Sequence, residues 1–301
     1  MTTTSYRSGY VAIVGRPNVG KSTLLNHILG QKISITSRKP QTTRHRIRGI
    51  KTTATAQAVY VDTPGIHHHQ SRAMNRLMNR AAAAALADVH VVVMVVEAMA
   101  WQDDDDLALS EVSKSGQPVI LVVNKVDKVA DKSKLLPFLE SCASRGSFAE
   151  VIPVSAFRAE DVARVEAAVA RLLPEGPAEF PEDQVTDRSL RFIAAELVRE
   201  KLMRRLGQEV PYQLTVEIEE FSEGPELTRI GAVIWVEKRN QKGIVIGAGG
   251  ERLKQVGQEA RQELEQLMDT KVFLRLWVKV KEGWSDDLKA LHSLGYDDES
   301  S

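Results

Sequence analysis

The run Gly15-Arg16-Pro17-Asn18-Val19-Gly20-Lys21-Ser22, followed by Thr23, has the residue types and the spacing to hold phosphate. Its glycines let the backbone wrap so that successive N–H groups point inward at an anion. Lys21 then brings a mobile ammonium to the β- and γ-phosphates of a nucleoside triphosphate, and Ser22 a hydroxyl ligand for Mg²⁺. The run sits between a strand-like stretch and a helix-like one, the setting this pattern requires. The helix adds its free amides and positive end. The competing explanation is a glycine turn that matches by accident.

Two further segments weigh against accident. Asp62-Thr63-Pro64-Gly65 follows the strand-like run Ala58–Val61. Asp62 is placed to hold Mg²⁺ through a water, and the Gly65 amide to meet the γ-phosphate. Asn124-Lys125-Val126-Asp127 ends another apolar run. A carboxylate at Asp127 accepts two hydrogen bonds from guanine, N1–H and the exocyclic amine, which adenine cannot offer. A site built for those donors leaves Asp127 unpaired with adenine, so GTP is expected and an ATPase or kinase is disfavoured. Asn124 is expected to tie this loop to the phosphate loop, and the Lys125 stem to cover the base. Ser155-Ala156 is expected to supply an amide to the guanine carbonyl oxygen.

The elements that must position these groups are legible as alternating runs. Tyr10–Val14, Ala58–Val61, Val89–Val96, Val119–Val123 and Val151–Val154 read as strands. Lys21–Leu29, Arg72–Leu86, Asp103–Ser115, Lys132–Ser144 and Glu160–Leu172 read as helices. Valine-rich strands without alternation predict a mostly parallel sheet buried on both faces, a doubly wound α/β domain. Arg46–Thr53 with Ala56–Val61 predicts one hairpin at that sheet. Residues 1–173 form this domain. The proline- and acid-rich stretch 174–186 reads as a linker, semi-extended by its prolines. Residues 187–283 follow in the order α-β-β-α-β, a smaller domain with a largely antiparallel sheet whose first helix starts at an Asp187 cap. A tail, 284–301, ends the chain.

With 43% hydrophobic and 27% charged residues, the composition is that of a soluble globular protein. Net charge is zero, so any nucleic-acid or membrane contact must be local. Cys142 is the single cysteine, which excludes an internal disulfide and suits a reducing cytoplasm; it reads as a buried spectator. Met1–Gly9 lacks the apolar core of a signal peptide, and Val89–Val96 is too short to span a bilayer. His67-His68-His69 reads as a switch loop, since three consecutive side chains cannot all face one metal. Asp103–Asp106 reads as a charged helix start.

In the smaller domain, Gly247-Ala248-Gly249-Gly250 forms a Gly-x-x-Gly loop after two strands and before a helix and a third strand. The placement resembles a KH domain of the α-β-β-α-α-β type. Such a loop lets a nucleic-acid backbone pass against the peptide and clamps about four nucleotides of single-stranded RNA. Ile244 and Ile246 are the expected floor for bases, with Lys238, Arg239, Lys242, Arg252 and Lys254 as a phosphate track. No basic residue stands between the glycines, so Arg252 or Lys254 must supply phosphate pairing. DNA is not expected as a partner.

The order Gly15–Ser22, Asp62–Gly65, Asn124–Asp127, Ser155-Ala156 resembles the G1, G3, G4 and G5 motifs of translation-factor-class P-loop GTPases. The resemblance implies a G2 threonine as a further Mg²⁺ ligand within the switch segment Gln41-Thr42-Thr43-Arg44-His45. Thr43 is the expected ligand and Thr42 the fallback. Lys21, Thr43 and Gly65 then face the reacting γ-phosphate. The glutamine that orients water in Ras-like enzymes is replaced here by Ile66, so slow hydrolysis is expected. In related GTPases lacking that glutamine, an asparagine at the Asn18 position helps hold K⁺. The resemblance therefore offers K⁺ as an activator, against a purely loop-stabilising Asn18.

A GTPase with Asn18, Gln41–Arg44 and Asp62–Gly65, then one KH domain, resembles the bacterial Era family from Tyr10 to Tyr296. Phe180–Asp183, Thr186–Ser189, Glu200–Met203 and Leu276–Lys281 add to the likeness without chemistry of their own. The resemblance implies GTP and GDP as substrate and product, binding near the 3′ end of 16S ribosomal RNA, and maturation of the 30S subunit or its precursor. It also implies a cytoplasmic monomer with some peripheral inner-membrane association. The alternative is a GTP-gated membrane or cell-cycle protein whose small domain binds protein or lipid.

Overall fold

The computed structural model describes residues 5–37, 39, 42–65, 73–207, 210–287, 289 and 291. The chain divides into two units. The first takes in most residues up to Asp187, and the second takes Arg188 onward together with Ile35–Thr42 and Ser71–Met74.

The first unit holds β1 (Arg7–Val14), α1 (Lys21–Leu29), β2 (Ile47–Thr52), β3 (Ala56–Asp62), α2 (Ala73–Ala87), β4 (Val91–Glu97), α3 (Asp103–Lys114), β5 (Val119–Asn124), α4 (Leu135–Ala143), β6 (Glu150–Pro153) and α5 (Ala159–Leu172). The sheet order is β2-β3-β1-β4-β5-β6, and only the β2–β3 pair is antiparallel. Every residue of β5 is buried, as is β4 but for Glu97, as their valine content requires for strands covered on both faces. The chain winds to one side of β1 and then to the other. The carboxyl end of β1 is therefore the point where such folds place their ligands. The expected helix at 132–144 resolves into a 3-10 turn, Lys132–Lys134, and α4. Asp131 caps that turn by accepting from the Ser133 amide.

The stretch 174–186 groups with the first unit. The Ile50 amide donates to the Val185 carbonyl at 2.8 Å, and Thr186 Oγ1 to Arg48 O at 2.7 Å. Gln57 bonds this stretch on both sides, donating to Phe180 O at 2.9 Å and accepting from the Glu179 and Phe180 amides. Prolines extend the segment, and its backbone finds partners at Tyr6 and Ser8, on Gln57 of β3 and along the edge strand β2.

The second unit holds α6 (Leu190–Arg205), β7 (Leu214–Ser222), β8 (Leu227–Val236), α7 (Arg239–Ile246), α8 (Glu251–Met268) and β9 (Lys271–Val280). Ser189, not Asp187, caps α6 by accepting from the Phe192 amide. Asp187 instead pairs with Arg48 at 3.4 Å. The sheet is mixed: β8 is central, antiparallel to β7 and parallel to β9. The expectation of a largely antiparallel sheet fails because α7 and α8 form a crossover, which returns the chain to run parallel. One sheet face builds the core with the helices through Leu202, Leu214, Ile234, Val245, Val256 and Ala260.

Within this unit α6 is charged yet buried, and its charges are matched. Glu200 Oε1 accepts from the Thr36 amide at 2.8 Å and from Arg204 at 2.9 Å, while Arg199 bonds Glu196 and the Thr42 carbonyl. The segment immediately before Thr43 is thus held by α6 side chains.

Candidate nucleotide and nucleic-acid sites

The phosphate loop is shaped by what surrounds its glycines. Gly15 (φ +142°) has no room for a Cβ, which would lie 2.2 Å from Val95 O. Gly20 (φ +105°) is the N-cap of α1, and a Cβ there would lie 2.2 Å from Asn124 Nδ2. Both values are in the left-handed range that glycine tolerates. No side chain caps α1, so its first turn faces the loop uncapped by any side chain. Asn18 also adopts a positive φ, +66°. Lys21 Nζ donates to Gly15 O at 2.9 Å and Arg16 O at 3.0 Å, lying along the loop it would serve. Burial lowers the Lys21 pKa to about 8, against the opposing pull of Asp62.

Three oxygen groups converge beside it. Ser22 Oγ donates to Asp62 Oδ2 at 2.8 Å and lies 2.9 Å from Thr43 Oγ1, which is itself 3.4 Å from Asp62 Oδ2. Ser34 Oγ also donates to Oδ2 at 2.8 Å, while the buried Asp62 Oδ1 has no hydrogen-bond partner. Burial pushes the Asp62 carboxyl above its usual range, and Lys21 and the hydroxyls oppose the shift. Hard oxygen donors around one carboxylate suit Mg²⁺, and the unpartnered oxygen gives the ion or its water a place to bind. Thr42 is directed elsewhere, donating to Lys39 O at 2.7 Å, so Thr43 is the threonine at this centre. Arg44 is buried and His45 half-buried beyond it. Thr63 Oγ1 donates to Ile13 O at 3.0 Å, and a Cβ on Gly65 would lie 2.8 Å from Pro17 N, bringing the end of β3 against the loop. Gln41, Ile66 and His67–His69 lie outside the described residues. Among those described, no group of three His, Cys, Asp or Glu is gathered as for a metal.

At the base end, Asn124 Nδ2 donates to Val19 O at 2.8 Å, the expected tie between loops. Asp127 is exposed, in a 3-10 turn behind the buried Val126. At Ser155-Ala156, the Ala156 amide donates to Asn124 Oδ1 at 3.0 Å and the Ser155 amide to Asp161 at 2.8 Å. Lys125 has a left-handed φ of +65°, and its ammonium binds Glu97 at 2.7 Å.

Sequence reasoning missed the support beneath these loops. Arg16 Nε donates to the buried Asp105 at 2.9 Å, and its guanidinium lies 3.6 Å from the same Glu97 that Lys125 binds. Asp103–Asp106 is the charged helix start expected, and within it Asp105 is fully buried. Burial raises its pKa and Arg16 opposes the rise. The available signal was Gln102-x-x-Asp105, the spacing of a capping box, which turns that one acid back over the helix end. Cys142 is buried and its thiol is pushed up to about 11, the inert state expected of it.

In the second unit α7 ends at Gly247 (φ +77°), where a Cβ would lie 2.8 Å from Arg252 Cβ, and α8 starts after Gly250 (φ +81°). Ala248 and Gly249 are exposed between them. Lys238, Arg239, Lys242 and Lys254 are exposed around this loop. Arg252 bonds the Ile244 carbonyl, closing α7, so Lys254 is the better placed of the two cations assigned to phosphate. The two floor residues separate: Ile244 is 41% exposed, whereas Ile246 packs on the core.

Residues 10–125 match the family described as 50S ribosome-binding GTPase, and residues 209–285 the KH domain family. The chain is 58% identical over 294 residues to GTPase Era of Azotobacter vinelandii, covering 98% of each chain. It is 57% identical to GTPase Era of Pseudomonas syringae pv. tomato, covering 98% of this chain and 99% of that one. It also resembles a crystal structure of Era in complex with MgGDPNP and nucleotides 1506–1542 of 16S ribosomal RNA. The TM-score is 0.93 at 38% identity, covering 97% of this chain and 99% of that one. A variant of Aquifex aeolicus Era bound to GDP·AlF4⁻ gives a TM-score of 0.92 at 38% identity, over 96% and 99% of the chains.

Proposed function

This chain belongs to the Era family of GTPases, and on that premise we propose that it is a Mg²⁺-dependent timer that binds single-stranded RNA in its GTP form. The RNA is the 3′ region of 16S ribosomal RNA, and the process is maturation of the 30S subunit. The relative bound to MgGDPNP and nucleotides 1506–1542 supports both ligands. The observation that carries the reading is the meeting of Ser22, Thr43 and Asp62, one from each of three motifs, within 3.4 Å of one another.

Each residue then has a task. Lys21 and the loop amides hold the β- and γ-phosphates. Ser22, Thr43 and Asp62 would hold Mg²⁺, which would supply charge neutralisation at the phosphate oxygens. Gly65 N–H faces the γ-phosphate, and Asp127 selects guanine. Ile66 supplies no proton chemistry, so intrinsic turnover is slow. Asn18 helps hold K⁺, and replacing K⁺ by Na⁺ is expected to lower the rate; equal rates reduce Asn18 to a loop residue. Thr43 senses the γ-phosphate at the end of a segment fastened to α6 through Thr36 and Thr42, a physical route for nucleotide state to reach the RNA-binding unit.

The RNA is clamped at Gly247–Gly250, with Ile244 under the bases and Lys238, Arg239, Lys242 and Lys254 along the phosphates. The protein works as a cytoplasmic monomer. Peripheral inner-membrane association is a lesser expectation, and no described helix is long and apolar enough to cross a membrane. The test is RNA affinity with a GTP analogue against GDP. Tighter binding with the analogue, lost on Gly247→Asp, supports the timer; equal affinities leave a binder without a switch.

A further inference from the structure

One face of the β7–β8–β9 sheet builds the core, and the other is open. On β9, Lys271, Phe273, Arg275, Trp277 and Lys279 alternate onto that open face and each is exposed. Phe273 is 44% and Trp277 38% exposed, large apolar rings with no packing need for being at the surface. In register, Arg229 stands beside Phe273, and Gly231 beside Arg275. Because Gly231 has no side chain, the Trp277 ring can lean in over it; a Cβ there would lie 3.2 Å from Trp277 Cζ3. The Arg275 guanidinium lies 5.4 Å from the Phe273 ring centre and 5.5 Å from that of Trp277, and Arg229 lies 5.9 Å from Phe273. The acids of the sheet are segregated on β7, where Glu217 accepts from Trp235 and Glu219 pairs with Lys279.

We propose that this open sheet face is a second RNA surface, where unpaired bases of the strand held at the Gly247–Gly250 loop stack on Phe273 and Trp277. Arg229 and Arg275 meet the flanking phosphates. The proposal rests on the RNA-binding reading above. Single-stranded nucleic acid fits because flat rings interleaved with cations are what sequence-tolerant stacking platforms use. The two rings lie four residues apart on one strand, about 13 Å, leaving room for separate unstacked bases with an arginine between them. A cation resting on an exposed ring is held weakly compared with a stacked base, so arriving bases displace Arg275 toward phosphate.

The test uses the full-length chain with a GTP analogue and RNA of nucleotides 1506–1542 of 16S ribosomal RNA, measuring affinity by fluorescence anisotropy over a salt series. Phe273→Ala with Trp277→Ala is expected to weaken binding about 30-fold or more. Phe273→Tyr with Trp277→Phe keeps the rings and is expected to bind normally. Arg229→Gln with Arg275→Gln is expected to lower the log–log salt slope by about 1.4. Unchanged affinity and slope in these variants, with binding lost on Gly247→Asp, overturns the sheet surface and leaves the loop reading intact. The reverse pattern supports the sheet surface and overturns the loop. Should the alanine pair fail to fold by circular dichroism, the arginine pair decides, and an unchanged slope overturns the proposal. Loss of binding to phosphatidylglycerol vesicles in the same variants, with RNA affinity unchanged, overturns it in favour of a lipid surface.

Discussion

Gly20 and Gly250 are both N-caps with a left-handed φ, and each opens a helix at a binding loop. A Cβ on Gly20 would meet Asn124 Nδ2 at 2.2 Å, while one on Gly250 meets nothing within 4 Å. The phosphate loop is therefore defined from inside, by polar groups already committed to one geometry. The KH loop is held from inside only at Gly247, and at Gly249 and Gly250 it is open space defined by what arrives from outside. In the first, one wrong atom disturbs several contacts at once; in the second, changes add in small steps.

The sharpest way to break this contrast is Asp105→Ala. It takes from the buried Arg16 its nearest carboxylate, leaving it Ala100 O and the more distant Glu97, and a loss of about 3 kcal/mol in unfolding free energy is expected by denaturant titration. A loss under about 1 kcal/mol would mean that the phosphate loop is as loosely supported as the KH loop. Next is Asp127→Asn, which keeps one acceptor but replaces the other carboxylate oxygen with an amide donor that opposes a guanine N–H. GTP affinity is expected to fall roughly 100-fold or more in equilibrium titration, with xanthosine triphosphate now preferred because its 2-oxo group accepts from the new amide.

The pH dependence of nucleotide affinity is smaller. Free Lys21, with its pKa lowered to about 8, loses its proton in mildly alkaline solution, whereas phosphate binding requires the ammonium. Affinity is expected to be full below pH 8 and to fall by up to about tenfold per unit as pH rises above it. For the nucleotide-free fold the sign is opposite. Between about 8 and 10.5 the unfolded chain holds more protons, so the burial penalty of Lys21 is present below 8 and fades above it. Calorimetry in two buffers of different ionisation enthalpy should register proton uptake on GTP binding at pH 8.5 and none for the Lys21→Arg variant. The smallest effect is Gly250→Ala, where only left-handed strain of about 1–2 kcal/mol opposes the change. RNA affinity is expected to drop severalfold with nucleotide binding intact; a total loss would show the KH loop to be as exacting as the phosphate loop.

The same contrast explains what could be read in the sequence. Gly15–Ser22, Asp62 and Asn124–Asp127 carry their chemistry in local spacing, so the loops, the helix at Lys21–Leu29 and the sheet around them were legible. Thr43 is the expected ligand with Thr42 as the fallback; the structure adds that Thr42 bonds Lys39 O while Thr43 faces Ser22. The bond from Ala156 to Asn124 Oδ1 was not legible because the two residues are far apart in sequence. Asp105 was hidden among four acids that differ only in which side of α3 they occupy. The parallel β8–β9 pairing escaped because strand pattern does not reveal direction; only the helical crossover does.

The fastening of 174–186 has a practical side. β2 is the outermost strand of its sheet, and the Val185 and Thr186 backbone covers part of its free edge. Composition alone would invite a cut after Leu173. That cut would bare a row of unpaired amides and carbonyls in Ile47–Thr52, a template on which a second molecule can add its own strand. Ending at Asp187 instead keeps the edge covered. Thirteen residues that look like a spacer thus decide whether the isolated first unit stays in solution or aggregates.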